Sequence, residues 1–233
     1  MPRSEFAFVQ GVRDTRGALD RWNRDPWPTL RGWLGWSAVV AAGLLWSVWV
    51  IGSVSTPGFG SGSYLPGFNA PAQLSDVGHV LFRNSLVLAL HSFACVAGFI
   101  AGSSLPEQAQ GYGRFMRRAH DHIGRGAIVF VICATTFSLV TQALSIGHAA
   151  STLAAANHMS VGVLLVGLLP HAIPELIALF LPLAAWLVAS RRGDWHELLA
   201  ATFVTTALAL PVLVIAAFIE VFVSPHLLLA LRG

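Results

Sequence analysis

The sequence predicts an all-α polytopic membrane protein: a bundle of five transmembrane helices with a broken fourth span, preceded by an amphipathic segment. Of its 233 residues, 55% are hydrophobic and only 11% are charged, a balance too apolar for an ordinary soluble domain. A helix needs roughly 20 apolar residues to cross a hydrocarbon core about 30 Å thick. Five stretches meet that requirement: residues 34–54, 82–102, 127–148, 160–190 and 198–223.

The N-terminal residues 1–33 form a separate segment ahead of the transmembrane domain, residues 34–233. Within it, residues 4–23 carry apolar side chains at helical spacing with arginines between them. This pattern predicts an amphipathic helix on the cytoplasmic membrane surface. The same apolar face would also suit a soluble partner, and the sequence does not separate the two.

Arginine placement predicts the orientation of the bundle, since the chain has no lysine. Six arginines precede the first span, four lie between spans two and three, and two lie between spans four and five, whereas the other two loops have none. Basic residues collect on the cytoplasmic side, so the N-terminus is predicted inside and the C-terminus outside. The net charge of +3 is then explained by topology and anionic headgroups, and no nucleic-acid partner is expected.

The second span carries two kinds of residue on one helical face. Ala94, Gly98 and Gly102 follow each other at four-residue spacing, which lets two helix backbones approach closely and predicts a packing surface. Asn84 and His91 lie further along the same face. Both are polar groups that need partners inside the bundle.

The third span has a polar stripe centred on Gln142, with Thr and Ser residues at spacings of three and four. A hydroxyl can bond back to the preceding turn of its own helix, but that does not account for the amide of Gln142. We therefore expect the third span to lie inside the bundle, beside the face of Asn84 and His91.

The fourth span contains Pro170, His171, Pro174 and Glu175 within one apolar run. Its 31 residues would form a helix about 46 Å long, so the span must tilt, overhang the membrane or break. Each proline removes a backbone donor and crowds the preceding turn, which favours a break. An ionisable side chain at membrane depth costs at least a few kcal/mol and marks a functional site by default.

The fifth span carries Glu220 in its last outer turn. Its carboxylate either reaches headgroup water or points inward to pair with a histidine, Arg83 or Asn84. We favour the inward role.

Enzyme motifs that could assign an activity are absent from the sequence, including the zincin, nucleophile-elbow, Walker A and Cys-x-x-Cys patterns. His171 and Glu175 are weak candidates as metal ligands. A neutral histidine bonded to a buried carboxylate already accounts for that pair, so we predict neither a metal nor another cofactor.

Two sequence motifs resemble those of a known family. The run from Leu169 to Glu175, Leu-Pro-His-Ala-Ile-Pro-Glu, is similar to the Leu-Pro-His-Gly-x-x-Glu of the stage II sporulation protein M family, and the run from Ala216 to Pro225 is similar to its closing Ala-x-x-Glu-x-x-Thr-Pro. The resemblance covers about residues 80–229 and includes an Asn at the start of a glycine-rich span. Ala172 in place of Gly and the additional Pro174 depart from the pattern. The positions that match the family are Asn84, Pro170, His171, Glu175, Glu220 and Pro225.

The resemblance implies a prokaryotic plasma-membrane protein and, for the founding member, a scaffold that assembles peptidoglycan-remodelling enzymes during engulfment. We therefore expect a non-enzymatic scaffold or assembly subunit, surrounded by the lipid bilayer and either homo-oligomeric or part of a membrane complex. An alternative is the membrane subunit of a transporter driven by a separate cytoplasmic ATPase, which the broken span and Glu175 favour. A third and weaker hypothesis is an intramembrane metal-dependent enzyme.

Overall fold

The computed structural model describes residues 7–58, 65–68, 70–104 and 114–232, and in these residues the regular elements are all helical. A single isolated bridge, between Pro66 and Ala70, lies outside the helices. We number the α-helices in chain order: α1 Ala7–Arg24, α2 Trp27–Val54, α3 Leu74–Phe99, α4 Arg114–Ala156, α5 Val161–Arg192, α6 Leu198–Phe218 and α7 Ser224–Arg232.

Within the described residues, five helical stretches are long and apolar enough to cross a membrane, which confirms the predicted all-α polytopic class. They are Trp27–Val54, Leu74–Gly102, Val129–Ala156, Val161–Arg192 and Trp195–Leu231. Each extends beyond the apolar run from which it was predicted, because a helix ends at its cap and not at the edge of the hydrocarbon. At the start of α3, the backbone N–H of Gln73 donates to the carboxylate of Asp76 at 2.9 Å, and at the start of α5 Val163 N–H donates to Ser160 Oγ at 3.2 Å.

The C-terminal ends of α4 and α5 are closed by left-handed residues. His158 has φ 54° and Gly193 has φ 79°. In each case the next residue bonds back five positions, Met159 N to Ala154 O and Asp194 N to Ala189 O, both at 3.0 Å. These are Schellman caps.

The predicted break in the fourth span is wrong. Helix α5 runs without interruption for 32 residues through Pro170, Pro174 and Pro182. Each proline removes one hydrogen bond and crowds the carbonyl of the preceding turn, but its fixed φ is close to the helical value, which is compatible with the continuous helix. A span can tolerate this where neighbouring groups satisfy the freed carbonyls, and 56% of its most apolar stretch is buried.

Two π-helical turns widen the bundle helices. Ile100–Ser104 extends α3, and Ile219–Val223 joins α6 to α7. A π turn adds one residue to a helical turn and is frequent at functional sites. The second turn contains Glu220.

The chain divides into two compact units, each built from separate stretches of sequence. The first consists of Met1–Ser37, Leu88–Thr135 and Phe180–Leu208, and the second of Ala38–Val87, Thr136–Leu179 and Ala209–Gly233.

In the first unit, part of the apolar face of α1 packs on the protein. Ala18 is fully buried, and the rings of Trp22 and Trp33 meet edge to face with centroids 5.1 Å apart. A Cβ at Gly11 would lie 2.6 Å from Leu199. Part of the predicted apolar face therefore packs on the protein, whereas Val9 and Val12 are exposed. A salt bridge of 2.6 Å joins Arg21 to Glu197.

In the second unit, the described part of the loop between α2 and α3 packs on the π turn that contains Glu220. Gly67 has φ 77°, and its N–H donates to Ala70 O at 2.8 Å. A Cβ on Gly67 would lie 2.8 Å from both Val221 O and Pro225 Cγ. Glycine is needed here for its conformation and for the close approach.

Candidate functional site

Three ionisable side chains meet in the second unit. His171, Glu175 and Glu220 each place one nitrogen or oxygen atom so that all three atoms lie within 4.8 Å of one another. His171 and Glu175 are one turn apart on α5, so helical geometry places both on the same face. Glu220 is contributed by the π turn after α6.

The imidazole of His171 is held by a serine from the start of α7. His171 Nδ1 lies 2.7 Å from Ser224 Oγ, and both residues are buried. When Nδ1 carries the proton and donates to Ser224, Nε2 keeps a free lone pair. The pair therefore fixes the orientation of the ring, and the hydroxyl of Ser224 can donate to Nδ1 or accept from it.

The carboxylate of Glu175 is incompletely satisfied. Its Oε2 atom is inaccessible to solvent and accepts no hydrogen bond from the described residues. Asn84 lies close enough to interact with this carboxylate, yet its Nδ2 is also buried without a bond of acceptable geometry. The Asn84 amide and the Glu175 carboxylate are therefore neighbours whose contact falls short of strict hydrogen-bond geometry.

Positive charge near the two carboxylates comes from Arg83, which is exposed and interacts electrostatically with both Glu175 and Glu220. One guanidinium balances one carboxylate. If both glutamates are ionised and His171 is neutral, one negative charge remains in a buried setting, where an uncompensated charge is costly. The arrangement is suited to holding a cation or a proton.

The structure brings together four of the residues selected from the sequence, Asn84, His171, Glu175 and Glu220. His91 belongs to the first unit, where its fully buried ring lies 5.3 Å from the ring of Phe180.

Gln142, Pro170 and Pro174 take other places. The Gln142 amide donates to Ser138 Oγ at 3.0 Å, one turn back on α4. Pro170 is exposed and Pro174 is half-buried. The third span was expected inside the bundle, but only 11% of its most apolar stretch is buried.

The three small residues of α3 lie in the first unit. Ala94 is buried, a Cβ at Gly98 would lie 2.7 Å from Leu198 Cδ1 and 2.8 Å from Trp186 Nε1, and a Cβ at Gly102 would overlap the ring of Trp195. These contacts are close helix packing of the kind that small residues allow.

Sequence reasoning did not select Ser224. A serine in an apolar helix has little weight by itself, because its hydroxyl can be satisfied within its own helix. The only signal was its place four residues after Glu220 and immediately before Pro225.

The model of the family described as SpoIIM, stage II sporulation protein M, matches residues 39–225. A search of the curated proteins and a search of the solved structures found no match.

Proposed function

The chain belongs to the stage II sporulation protein M family, and from that premise we propose that it is a non-enzymatic scaffold or assembly subunit of a prokaryotic plasma membrane. Its N-terminus is placed in the cytoplasm and its C-terminus outside by the arginine pattern. The proposed partners are further copies of the chain or other subunits of a membrane complex.

The observation that carries this proposal is the composition of the surface of α4. This helix is a candidate span, yet only 11% of its most apolar stretch is buried, against 56% for α5. Its exposed surface mixes large apolar side chains, Phe137 and Leu144, with the polar Thr136, Ser145 and His148. Transmembrane helices associate through hydrogen bonds between polar side chains and through close packing. The mixed surface of α4 therefore suits contact with other transmembrane helices better than contact with lipid alone.

A native cysteine offers a direct test. The chain has two cysteines; Cys133 on α4 is exposed, whereas Cys95 is buried and donates to Pro182 O at 3.0 Å. Treating native membranes with a short bis-maleimide, which joins two thiols, should link Cys133 to Cys133 of a second copy or to a partner subunit that offers a thiol. Either product supports the proposal, and Cys133→Ser should abolish it.

The control for thiol reactivity is Cys95→Ala, which should leave the Cys133 product unchanged. Purification in a mild detergent provides the second measurement. A protein that gives no crosslinked product and is also purified as a monomer without stoichiometric partners would overturn the proposal.

A second candidate is the membrane subunit of a transporter, which the cluster of His171, Glu175 and Glu220 favours because ionisable groups within spans mark ion and substrate pathways. The proposed contact with an ATPase is residues 111–126, part of which falls outside the described residues. In a reconstituted complex, Glu175→Gln should lower flux or ATPase activity. Wild-type rates in that variant would rule the transport role out.

A further inference from the structure

We infer that His171, Glu175 and Glu220 form a binding site for one divalent metal ion of borderline softness, with Zn²⁺ as its probe. The inference does not depend on the scaffold or transport proposals. It rests on the ligand set, the spacing of the atoms, the support of the histidine ring and the unsatisfied oxygen of Glu175.

The ligand set consists of one imidazole and two carboxylates, the donors that Zn²⁺ and its neighbours in the first transition series accept in proteins. Such donors lie about 2.1 Å from the ion and therefore about 3.4 Å from one another in a tetrahedral site. The three atoms of the cluster lie within 4.8 Å of one another. A small rotation of the two glutamate side chains closes the difference.

The histidine already has the support that metal-binding histidines need. Such a histidine binds through one ring nitrogen and gives the N–H of the other to an acceptor, which sets the tautomer and the direction of the lone pair. Ser224 Oγ lies 2.7 Å from His171 Nδ1 and can accept from it in the tautomer that a bound metal would select. Nε2 is then left for the ion.

Glu175 has room for a further ligand. Its Oε2 is buried without a hydrogen bond of strict geometry, and its nearest hydrogen-bonding neighbour is the side chain of Asn84. Buried polar atoms are nearly always satisfied. An ion bound to the Glu175 carboxylate would satisfy its Oε2, and the Asn84 amide would provide its oxygen as a further ligand after rotation.

The exposed guanidinium of Arg83 acts as a competitor for the same carboxylates. In the described part of the chain it reaches neither of them at salt-bridge distance, although it interacts with both electrostatically. Its charge disfavours a second cation. Removing Arg83 should therefore not weaken the binding of a cation at a metal site. In a purely structural ion cluster, the same removal should lower the stability of the protein.

The test uses the purified full-length, untagged protein in detergent, stripped with chelator and then titrated with Zn²⁺ by calorimetry, with elemental analysis after dialysis. We expect one Zn²⁺ per chain. His171→Gln, Glu175→Gln and Glu220→Gln should each weaken binding by at least about tenfold, and Ser224→Ala by about 10–100-fold, as is usual for a residue that orients a ligand. Arg83→Gln should bind at least as tightly as the wild type.

Two matched variants control for adventitious binding. Glu197→Gln changes a glutamate in the first unit, and His226→Gln changes an exposed histidine of α7; both should bind Zn²⁺ like the wild type. Loading with Co²⁺ gives a readout that does not depend on affinity, because its visible spectrum should change in His171→Gln if the imidazole is a ligand.

Less than stoichiometric Zn²⁺ in the wild type would overturn the inference. Wild-type Zn²⁺ affinity in His171→Gln, Glu175→Gln and Glu220→Gln would do the same. Weaker Zn²⁺ binding in Arg83→Gln would also overturn it. Glutamine keeps the size of the glutamate side chain at positions 175 and 220, and thermal unfolding verifies that all three variants are folded. Crosslinking at Cys133 is measured separately, so failure of the metal site and failure of the scaffold role are distinguishable.

Discussion

The imidazole of His171 lies 2.7 Å from the hydroxyl of Ser224, although 53 residues separate them in the chain. Both side chains are buried, so neither can exchange its partner for water without local opening. The bond joins the middle of α5 to the first residue of α7.

Ser224→Ala should destabilise the protein by about 1–3 kcal/mol, because it leaves a buried imidazole nitrogen unsatisfied. Thermal unfolding in detergent measures the change. Ser53→Ala is the matched control, since the Ser53 hydroxyl donates to Trp49 O on its own helix and the residue is exposed. It should change stability by less than about 0.5 kcal/mol. Equal effects of the two substitutions would show that His171 does not need this partner.

Gly67→Ala should be the most damaging of three glycine substitutions. It combines the left-handed conformation, worth about 1–2 kcal/mol, with a Cβ placed 2.8 Å from Val221 O, for which overpacking adds about 1–3 kcal/mol. Gly193→Ala has a similar φ of 79° but no atom within 4 Å of the new Cβ, so it should show the conformational cost alone.

Gly78→Ala completes that series. It lies within α3, where a Cβ would have no neighbour within 4 Å, and it should stabilise by about 0.5–1 kcal/mol because alanine is the better helix former. The same unfolding measurement serves for all three variants. If Gly67→Ala and Gly193→Ala were equally destabilised, the close approach of the loop to the π turn would be refuted.

Gly98→Ala should destabilise the first unit by about 1–3 kcal/mol, since its Cβ would lie 2.7 Å from Leu198 and 2.8 Å from Trp186. Gly35→Ala on α2 meets open space and should not destabilise. Tryptophan fluorescence during unfolding compares the two variants. A neutral Gly98→Ala would mean that Trp186 moves aside freely.

The salt bridge between Arg21 and Glu197 should contribute little. Its side chains are 55% and 23% exposed, and exposed pairs are typically worth about 0.2–1 kcal/mol. A double-mutant cycle of Arg21→Gln and Glu197→Gln at two salt concentrations should give a coupling energy in that range that falls as salt rises.

Trp33→Ala removes a buried ring and should cost about 3–5 kcal/mol. A coupling energy close to the Trp33→Ala value would contradict this ranking.

The number and class of the spans could be predicted from apolar length alone, but their ends could not. The second span was predicted from residue 82, whereas α3 begins at Leu74. The first eight residues of this helix are less apolar, and its start depends on the bond between Gln73 and Asp76. Such a cap is a local polar interaction that an apolar window does not detect.

At the prolines, the sequence prediction gave too much weight to a local cost. Pro170 and Pro174 were interpreted by the local cost of a missing donor, which predicts a break, but the continuous α5 shows that a long packed helix absorbs that cost. In the candidate site, helical spacing was enough to pair His171 with Glu175. It could not position Glu220 relative to Ser224, because a π turn changes the periodicity on which such reasoning depends.

The π turn Ile219–Val223 also fixes how α7 is rotated about its axis. A π turn contains one residue more than an α turn, so removing one residue here would restore ordinary α-helical winding and turn everything that follows by about 100°. Ser224 would leave the side of the helix that faces His171, while Glu220, which precedes most of the change, would stay near its place. A single inserted residue thus sets the angle about the helix axis between the Glu220 carboxylate and the Ser224 hydroxyl.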